Sequence, residues 1–133
     1  MNAHPYALTP TRSVEDFLKV LLALQEQHER VSTNALAEAL SIAAPSVTDM
    51  AARLSAAGLI DYRKYHGVRL TKEGEQTARQ IIQRHELIEA YLVTHLGFAP
   101  DEAHREAEQM EHAVSSRFVD ALMRSLNDQE FAS

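Results

Sequence analysis

The residues best suited to chemistry concentrate in one short stretch, AHREAEQMEH, at residues 103–112. Two histidines and two glutamates stand there at relative positions 0, 4, 7 and 8: His104, Glu108, Glu111 and His112. On an α-helix these positions share one face, which in a globular protein usually carries aliphatic residues for the core. Imidazoles and carboxylates gathered on that face predict a site for a divalent cation. The simpler alternative is a solvated helix whose residues form i, i+4 pairs.

A second set of possible ligands lies upstream in QRHELIEAYL, where His85 and Glu89 are four residues apart. That separation suits two side chains that hold one ion from successive turns of a helix. Asp16 is a further candidate, because it neighbours apolar positions of the first predicted helix, where an unpaired carboxylate would be costly. The chain has no cysteine, so any metal must be held by nitrogen and oxygen ligands. Such ligands favour Mn²⁺ or Fe²⁺ over Cu⁺ or a structural zinc ion.

The composition is that of a folded protein, and its charge is unevenly distributed. Hydrophobic residues make up 45% of the 133 residues. Because no apolar run approaches the roughly 20 residues of a membrane span and the first residues lack signal-peptide features, we expect a cytoplasmic protein. The net charge of −6 lies in the second half, where six basic residues face twelve acidic ones; residues 1–70 carry seven of each. The first half could therefore meet a polyanion and the second half a cation.

The elements that must position these residues follow from hydrophobic periodicity and turn residues. We expect a flexible arm over residues 1–12, then a winged helix-turn-helix domain over residues 13–71. Its helices are predicted to begin at Ser13 as N-cap, at Ser32 or Thr33, and at Pro45, the last ending at Gly58. The segment LIDYRKYHGVRL, residues 59–70, predicts a two-stranded hairpin, the wing, with its turn at His66–Gly67.

The remaining chain, residues 72–133, predicts a helical metal-binding and dimerisation domain, which makes the fold class mainly α. Its helices are expected at about 72–95, 101–113 and 115–127. Apolar positions of the last segment are best explained as dimer or inter-lobe packing: Val114, Phe118, Val119, Leu122 and Met123.

A winged helix-turn-helix places its second motif helix in the DNA major groove and its wing along the backbone. Small polar and basic side chains stand at the corresponding positions and are predicted to contact DNA: Pro45, Ser46, Thr48, Asp49 and Arg53 on the helix, and Arg63, Lys64 and Arg69 on the wing. The alternative is a three-helix packing module whose exposed Ser, Thr and Arg residues simply face water.

Together these motifs resemble the diphtheria toxin repressor family of metal-dependent transcriptional regulators, particularly its manganese-responsive branch. The resemblance runs from about Ser13 to Leu126 and is carried by VEDFL, LAEAL…APSVTDM, GLI…HGVRLTKEGE, RHELIEAYL and AEQMEHAVS. It implies a homodimer that binds palindromic operator DNA, as a repressor, when loaded with Mn²⁺ or Fe²⁺. Longer family members continue into an SH3-like domain.

The resemblance also implies how the ligands divide between two ions. The resemblance implies that one ion is bound by Asp16, Glu108, Glu111 and His112, and a neighbouring ion by His85, Glu89 and His104. Iron-responsive members usually have Met and Cys at positions 16 and 108. This chain has a carboxylate at both positions, and in this it resembles the manganese branch. Lys19 departs from it, because short manganese regulators carry Glu there, and this favours two separate sites over a closely bridged pair.

Two rival functions are open to the same residues. A di-metal enzyme on a helical bundle would use Glu-x-x-His twice, but Ile82 and Gln109 stand three residues before His85 and His112. We therefore expect no enzyme. A metal-independent winged-helix regulator that senses an organic ligand would need an apolar pocket, whereas the predicted face is acidic.

Overall fold

The structure is a computed structural model that describes the backbone of residues 11–132 and the side chains of residues 11–128. It is mainly α-helical with one two-stranded antiparallel sheet, which confirms the predicted fold class. The elements are α1 (Arg12–Leu24), α2 (Thr33–Leu40), α3 (Ala44–Ala56), β1 (Ile60–Arg63), β2 (Gly67–Leu70), α4 (Lys72–Leu96), α5 (Pro100–Met110) and α6 (Ser116–Ala132). The chain divides within α4 into two compact units, residues 1–79 and 80–133. Among the described residues, no helix is long and apolar enough to cross a membrane.

The first helix begins two residues earlier than the sequence predicts. Its N-cap is Thr11 and not Ser13, because the Thr11 hydroxyl accepts a hydrogen bond from the Val14 amide at 3.2 Å. The predicted arm over residues 1–12 is therefore too long at its C-terminal end, and residues 1–10 lie outside the described part of the chain.

The helix-turn-helix forms because α1, α2 and α3 each bury an apolar stripe in one core. Fully buried members include Leu21, Leu36, Val47 and Leu54. The Ser32 hydroxyl caps α2 by accepting from the Ala35 amide at 3.0 Å, so Ser32, and not Thr33, is the N-cap. Pro45 lies in the first turn of α3, which ends at Ala56; Gly58 follows with a φ of +80°, as a glycine after a helix end often does.

The wing is the predicted hairpin, with its turn slightly earlier in the chain than expected. Arg63 pairs with Gly67, so the turn consists of residues 64–66, with Tyr65 at a φ of 69°, and includes His66 but not Gly67. A turn at His66–Gly67 would have placed Arg69 opposite Lys64, two like charges. Gly67 instead opens β2 at a φ of +89°, where a Cβ would lie 2.6 Å from the carbonyl oxygen of Val31.

The second unit packs α4, α5 and α6 around its own core of Ile88, Leu92, Ala103, Ala107 and Leu122. The prediction that Leu122 serves dimer or inter-lobe packing is wrong, because its side chain is buried within this core. The Ser115 hydroxyl starts α6 by accepting from the amide of Phe118 at 3.1 Å. Helix α5 ends at Met110, three residues before the predicted end.

Candidate metal centre and nucleic-acid interface

Helices α4 and α5 bring His85, Glu89 and His104 together, and we call these three residues the His–Glu cluster. His85 and Glu89 lie one turn apart on α4, and His104 projects from α5. His85 Nε2 is 2.7 Å from Glu89 Oε2 and 3.2 Å from His104 Nδ1, and His104 Nδ1 is 2.7 Å from the same Glu89 oxygen. The three atoms thus converge on one point although the residues are up to 19 positions apart.

The donor set of the His–Glu cluster fits a divalent transition metal. Two imidazole nitrogens and a carboxylate oxygen are ligands that Mn²⁺, Fe²⁺ and Zn²⁺ accept. Donors held at about 2.1 Å from an ion at right angles to one another would be about 3 Å apart. The separations of 2.7–3.2 Å are close to that value, so an ion could be accommodated with only small side-chain movements.

The electrostatics of the His–Glu cluster favour a charged carboxylate. Burial by itself would raise the pKa of Glu89, but hydrogen bonds from His104 and His85 and their positive charge outweigh it, so the pKa lies below its usual value. Glu89 is consequently ionised at neutral pH, as a metal ligand must be.

The predicted helix face over residues 104–112 extends beyond the end of α5 at Met110, although Glu111 keeps αR geometry and its N–H donates to the Ala107 carbonyl oxygen. Glu111 is the C-cap residue and His112 lies in the following turn, whereas His104 and Glu108 are on the helix itself. Glu111 is fully buried and His112 nearly so. His104 and Glu108 are about half exposed.

Glu111 lies at the centre of a group of contacts within the second unit. His112 Nε2 is 3.3 Å from Glu111 Oε2, and Arg84 donates from Nη1 to the Glu111 carbonyl oxygen at 2.8 Å. The other carboxylate oxygen, Oε1, contacts Nδ1 of His85. His85 therefore faces the His–Glu cluster with one ring nitrogen and Glu111 with the other, a connection over 26 residues that sequence spacing does not reveal.

Glu108 lies beside His104 in the structure. Its Oε2 is 3.8 Å from His104 Nε2, the nitrogen that points away from Glu89.

On α1, the buried carboxylate is Glu15 and not Asp16. The Asp16 side chain is 40% exposed and its Oδ2 is 3.9 Å from Nε of Arg12, one turn away. Glu15 is only 5% exposed. Asp16 is thus partly exposed beside the buried Phe17, at the edge of the apolar face. The signal for Glu15 was in the sequence, since it precedes Leu18 by three residues and so adjoins the buried stripe.

The predicted DNA-contacting residues of α3 all lie on its exposed side. Val47, Ala51 and Leu54 face the core, and the intervening positions are exposed: Pro45, Ser46, Thr48, Asp49 and Arg53. The exposed surface also includes residues 41–43, which link α2 to α3 and which the sequence does not single out. Of these polar groups, the Thr48 hydroxyl is partly engaged, because it donates to the Ala44 carbonyl oxygen at 3.3 Å.

The basic residues of the wing are exposed but not all are free of internal partners. Lys64 lies in the turn, with Nζ 5.2 Å from the centre of the Tyr65 ring. Arg63 and Arg69 both lie within 4 Å of an oxygen of Asp61, a residue that the sequence did not indicate as functional.

Comparison with known families covers both units of the chain. Residues 10–68 match the family model of the iron dependent repressor, N-terminal DNA binding domain. Residues 71–132 match the iron dependent repressor, metal binding and dimerisation domain.

Individual relatives are similar over most of the chain. The HTH-type transcriptional regulator MntR of Lysinibacillus sphaericus is 36% identical over 115 residues, which are 85% of this chain and 81% of the relative. A transcriptional regulator of Methanocaldococcus jannaschii is 34% identical over 84% of this chain and 90% of its own length. Among solved structures, the manganese regulator SloR is 40% identical with a TM-score of 0.71, over 90% of this chain and 55% of SloR. A manganese-dependent transcriptional repressor in complex with manganese is 37% identical with a TM-score of 0.74, over 86% of this chain and 52% of the repressor.

A winged-helix unit followed by a helical unit with clustered imidazole and carboxylate groups defines the class of metal-regulated transcription factors. Within that class, the chain belongs to the diphtheria toxin repressor family of iron-dependent repressors, in its manganese-responsive MntR branch. The resemblance read from the motifs is thereby confirmed. The members of this family are transcriptional regulators, and the metal-independent alternative is not favoured. The chain spans about half the length of these two solved relatives.

Proposed function

We propose that this chain is a repressor that binds palindromic operator DNA as a homodimer when it is loaded with Mn²⁺ or Fe²⁺. It acts by binding and not by catalysis, and it works in the cytoplasm, where operator DNA is found. The observation that carries the proposal is the convergence of His85, Glu89 and His104 on one point, in a chain whose α3 presents an exposed polar face.

The His–Glu cluster is proposed to hold one of two ions. The packing of Ile88 and Leu92 of α4 against Ala103 and Ala107 of α5 fixes the spacing of the two helices that carry its ligands. Small alanine side chains on α5 support a close approach of the helices. When bound, the ion supplies positive charge that offsets the repulsion among the carboxylates of an acidic unit.

The second ion is assigned, from the family resemblance, to Asp16, Glu108, Glu111 and His112. Support within the second unit comes from Glu111, which is fully buried and which is contacted by His112. A buried carboxylate is costly unless a cation or several donors compensate it. The contribution of Asp16 stays a prediction, which its substitution by Asn tests through the measured number of bound ions.

DNA recognition is assigned to α3 and the wing of the first unit. The exposed Ser46, Asp49 and Arg53 would face base edges, because successive exposed positions of a recognition helix enter the major groove. Lys64 and its neighbours on the wing would meet phosphates, which position the protein without reading sequence. This division matches the charge, since the first half of the chain is neutral and the acidic excess lies in the second.

The proposed ligands are tested by calorimetric titration of the chelator-stripped chain with Mn²⁺. We expect one to two ions per chain at micromolar affinity, and one ion fewer in a Glu89→Gln/His104→Gln variant. The matched control is Glu86→Gln/His95→Gln, which removes the same groups from exposed positions of α4 outside the cluster. Equal binding by both variants and the wild type would contradict the assignment of the cluster.

A further inference from the structure

The alternation of side chains along the wing places three charged residues on one face. Ile60, Val68 and Leu70 turn towards the core, so Asp61, Arg63 and Arg69 lie on the opposite face. The register makes Asp61 and Arg69 direct cross-strand partners, and Arg63 follows Asp61 by two residues on the same strand. Two arginines suited to phosphate contact therefore share this face with the Asp61 carboxylate.

One oxygen of that carboxylate serves both arginines. Asp61 Oδ2 is 3.7 Å from Nη2 of Arg63 and 3.8 Å from Nε of Arg69. Glu29 adds a weak contact to Arg69 at 4.0 Å. These distances exceed the roughly 2.7–2.9 Å of a short charge-assisted hydrogen bond, so the arginines are held loosely enough to exchange Asp61 for another anion.

Asp61 itself is fixed from its other side by Arg30. The guanidinium of Arg30 donates to Asp61 Oδ2 at 3.2 Å and to the Asp61 carbonyl oxygen at 2.9 Å. It also donates to the carbonyl oxygens of Gly67 at 3.0 Å and His66 at 3.3 Å, so one side chain braces both strands and the turn. The Arg30 side chain is only 17% exposed, whereas those of Arg63 and Arg69 are 64% and 46% exposed. The carboxylate thus stays in place while its two outer partners can leave.

We propose that Asp61 is a specificity-determining residue, an internal anion that competes with DNA phosphates for Arg63 and Arg69. It lowers the affinity of the wing for duplex DNA of any sequence, because each arginine must leave Asp61 before it can pair with a phosphate. Stable binding then depends more strongly on base contacts made by α3 and on the metal-loaded dimer. The inference rests on the proposed DNA-binding function and adds a determinant to it.

The experiment is a double-mutant cycle on the full chain, with binding to a random-sequence duplex measured by fluorescence anisotropy between about 50 and 200 mM salt. Asp61→Asn keeps the shape of the side chain and an oxygen for Arg30. We expect Asp61→Asn to raise the affinity for the duplex roughly 2- to 30-fold, because Arg63 and Arg69 no longer have to break two weak exposed ion pairs before they bind phosphates. We also expect the slope of a plot of log K for DNA binding against log salt concentration to become steeper by about one. Glu38→Gln, on an exposed carboxylate of α2, controls for net charge and should change affinity much less.

The cycle is completed by Asp61→Asn in an Arg63→Gln/Arg69→Gln background, where the gain should disappear. The same gain in that background, or an equal gain in Glu38→Gln, would show a general charge effect and overturn the inference. Unchanged or weaker binding with a lowered melting temperature would show that Asp61 only braces the wing through Arg30, and would overturn it too. If the Mn²⁺-loaded wild type and all variants fail to bind any duplex, the proposed DNA-binding function fails as well.

Discussion

Replacement of His104 by Ala should remove most of the stabilisation that the chain gains when Mn²⁺ binds to the His–Glu cluster. His104 is a half-exposed residue of α5, and Ala is the better helix former, so the metal-free variant should unfold within about 1 kcal/mol of the wild type. It removes one of three converging donors of the His–Glu cluster. Loss of even an indirect partner of a metal ligand weakens binding about 10- to 100-fold, so loss of a ligand should weaken it at least as much.

The magnitude follows from mass action. With Mn²⁺ at 100 times the dissociation constant, one site stabilises the wild type by about 2.7 kcal/mol. A site weakened about 100-fold contributes only about 0.4 kcal/mol at the same concentration. For a chain of this size the difference of about 2.3 kcal/mol corresponds to a melting temperature about 9 °C lower in the presence of metal. The other predicted ligand set is intact in both proteins.

The assay is thermal unfolding, followed by circular dichroism, of chelator-stripped protein with and without Mn²⁺. The control is His95→Ala, which removes an exposed histidine at the end of α4 whose ring lies 4.6 Å from that of Tyr91. The control should retain the full metal-induced shift. If His104→Ala and His95→Ala show the same shift as the wild type, the cluster is a set of hydrogen-bonded surface residues and the metal argument is refuted.

Three further predictions concern the fold and the wing. Gly67→Ala should lower the free energy of unfolding by about 1–3 kcal/mol, since its φ is +89° and the Cβ would lie 2.6 Å from the Val31 carbonyl oxygen. In the same denaturation assay Gly97→Ala, with a φ of +74° and no described atom within 4 Å of its Cβ, should cost less, and an equal cost would refute the close-contact argument. Leu54→Ala should cost about 2–5 kcal/mol because the side chain is fully buried, and a cost below about 1 kcal/mol would contradict its place in the core. Lys64→Ala should weaken binding to all duplexes alike and reduce the salt slope by about one; an unchanged slope would place the wing outside the interface.

The sequence could predict those features that depend on local periodicity. The pattern of Val47, Ala51 and Leu54 separates the buried side of α3 from its exposed polar side, and the structure has the same division. His85 and Glu89 could be paired because four residues make about one helical turn. Elements and faces of this kind follow from residues that are close in sequence.

Contacts that depend on tertiary packing or on helix ends could not be predicted in this way. No glycine or asparagine marks the end of α5 after Met110, so the sequence does not show that Glu111 is the C-cap residue. The contact between His85 and Glu111 requires α4 to pack against the end of α5, which spacing does not specify. The sequence does not indicate Asp61, because its pairing with Arg69 depends on the hairpin register, which residue spacing alone does not specify.

The most direct test of metal-dependent DNA recognition uses a duplex selected from a random pool by the Mn²⁺-loaded chain. Its binding to the chelator-stripped protein is measured by fluorescence anisotropy while Mn²⁺ is added, with Mg²⁺ as the control ion. We predict that affinity rises about 5- to 150-fold with Mn²⁺, as is typical of coupled sites, and that Mg²⁺ has little effect. Equal affinity for the selected duplex with Mn²⁺ and with chelator would contradict the account.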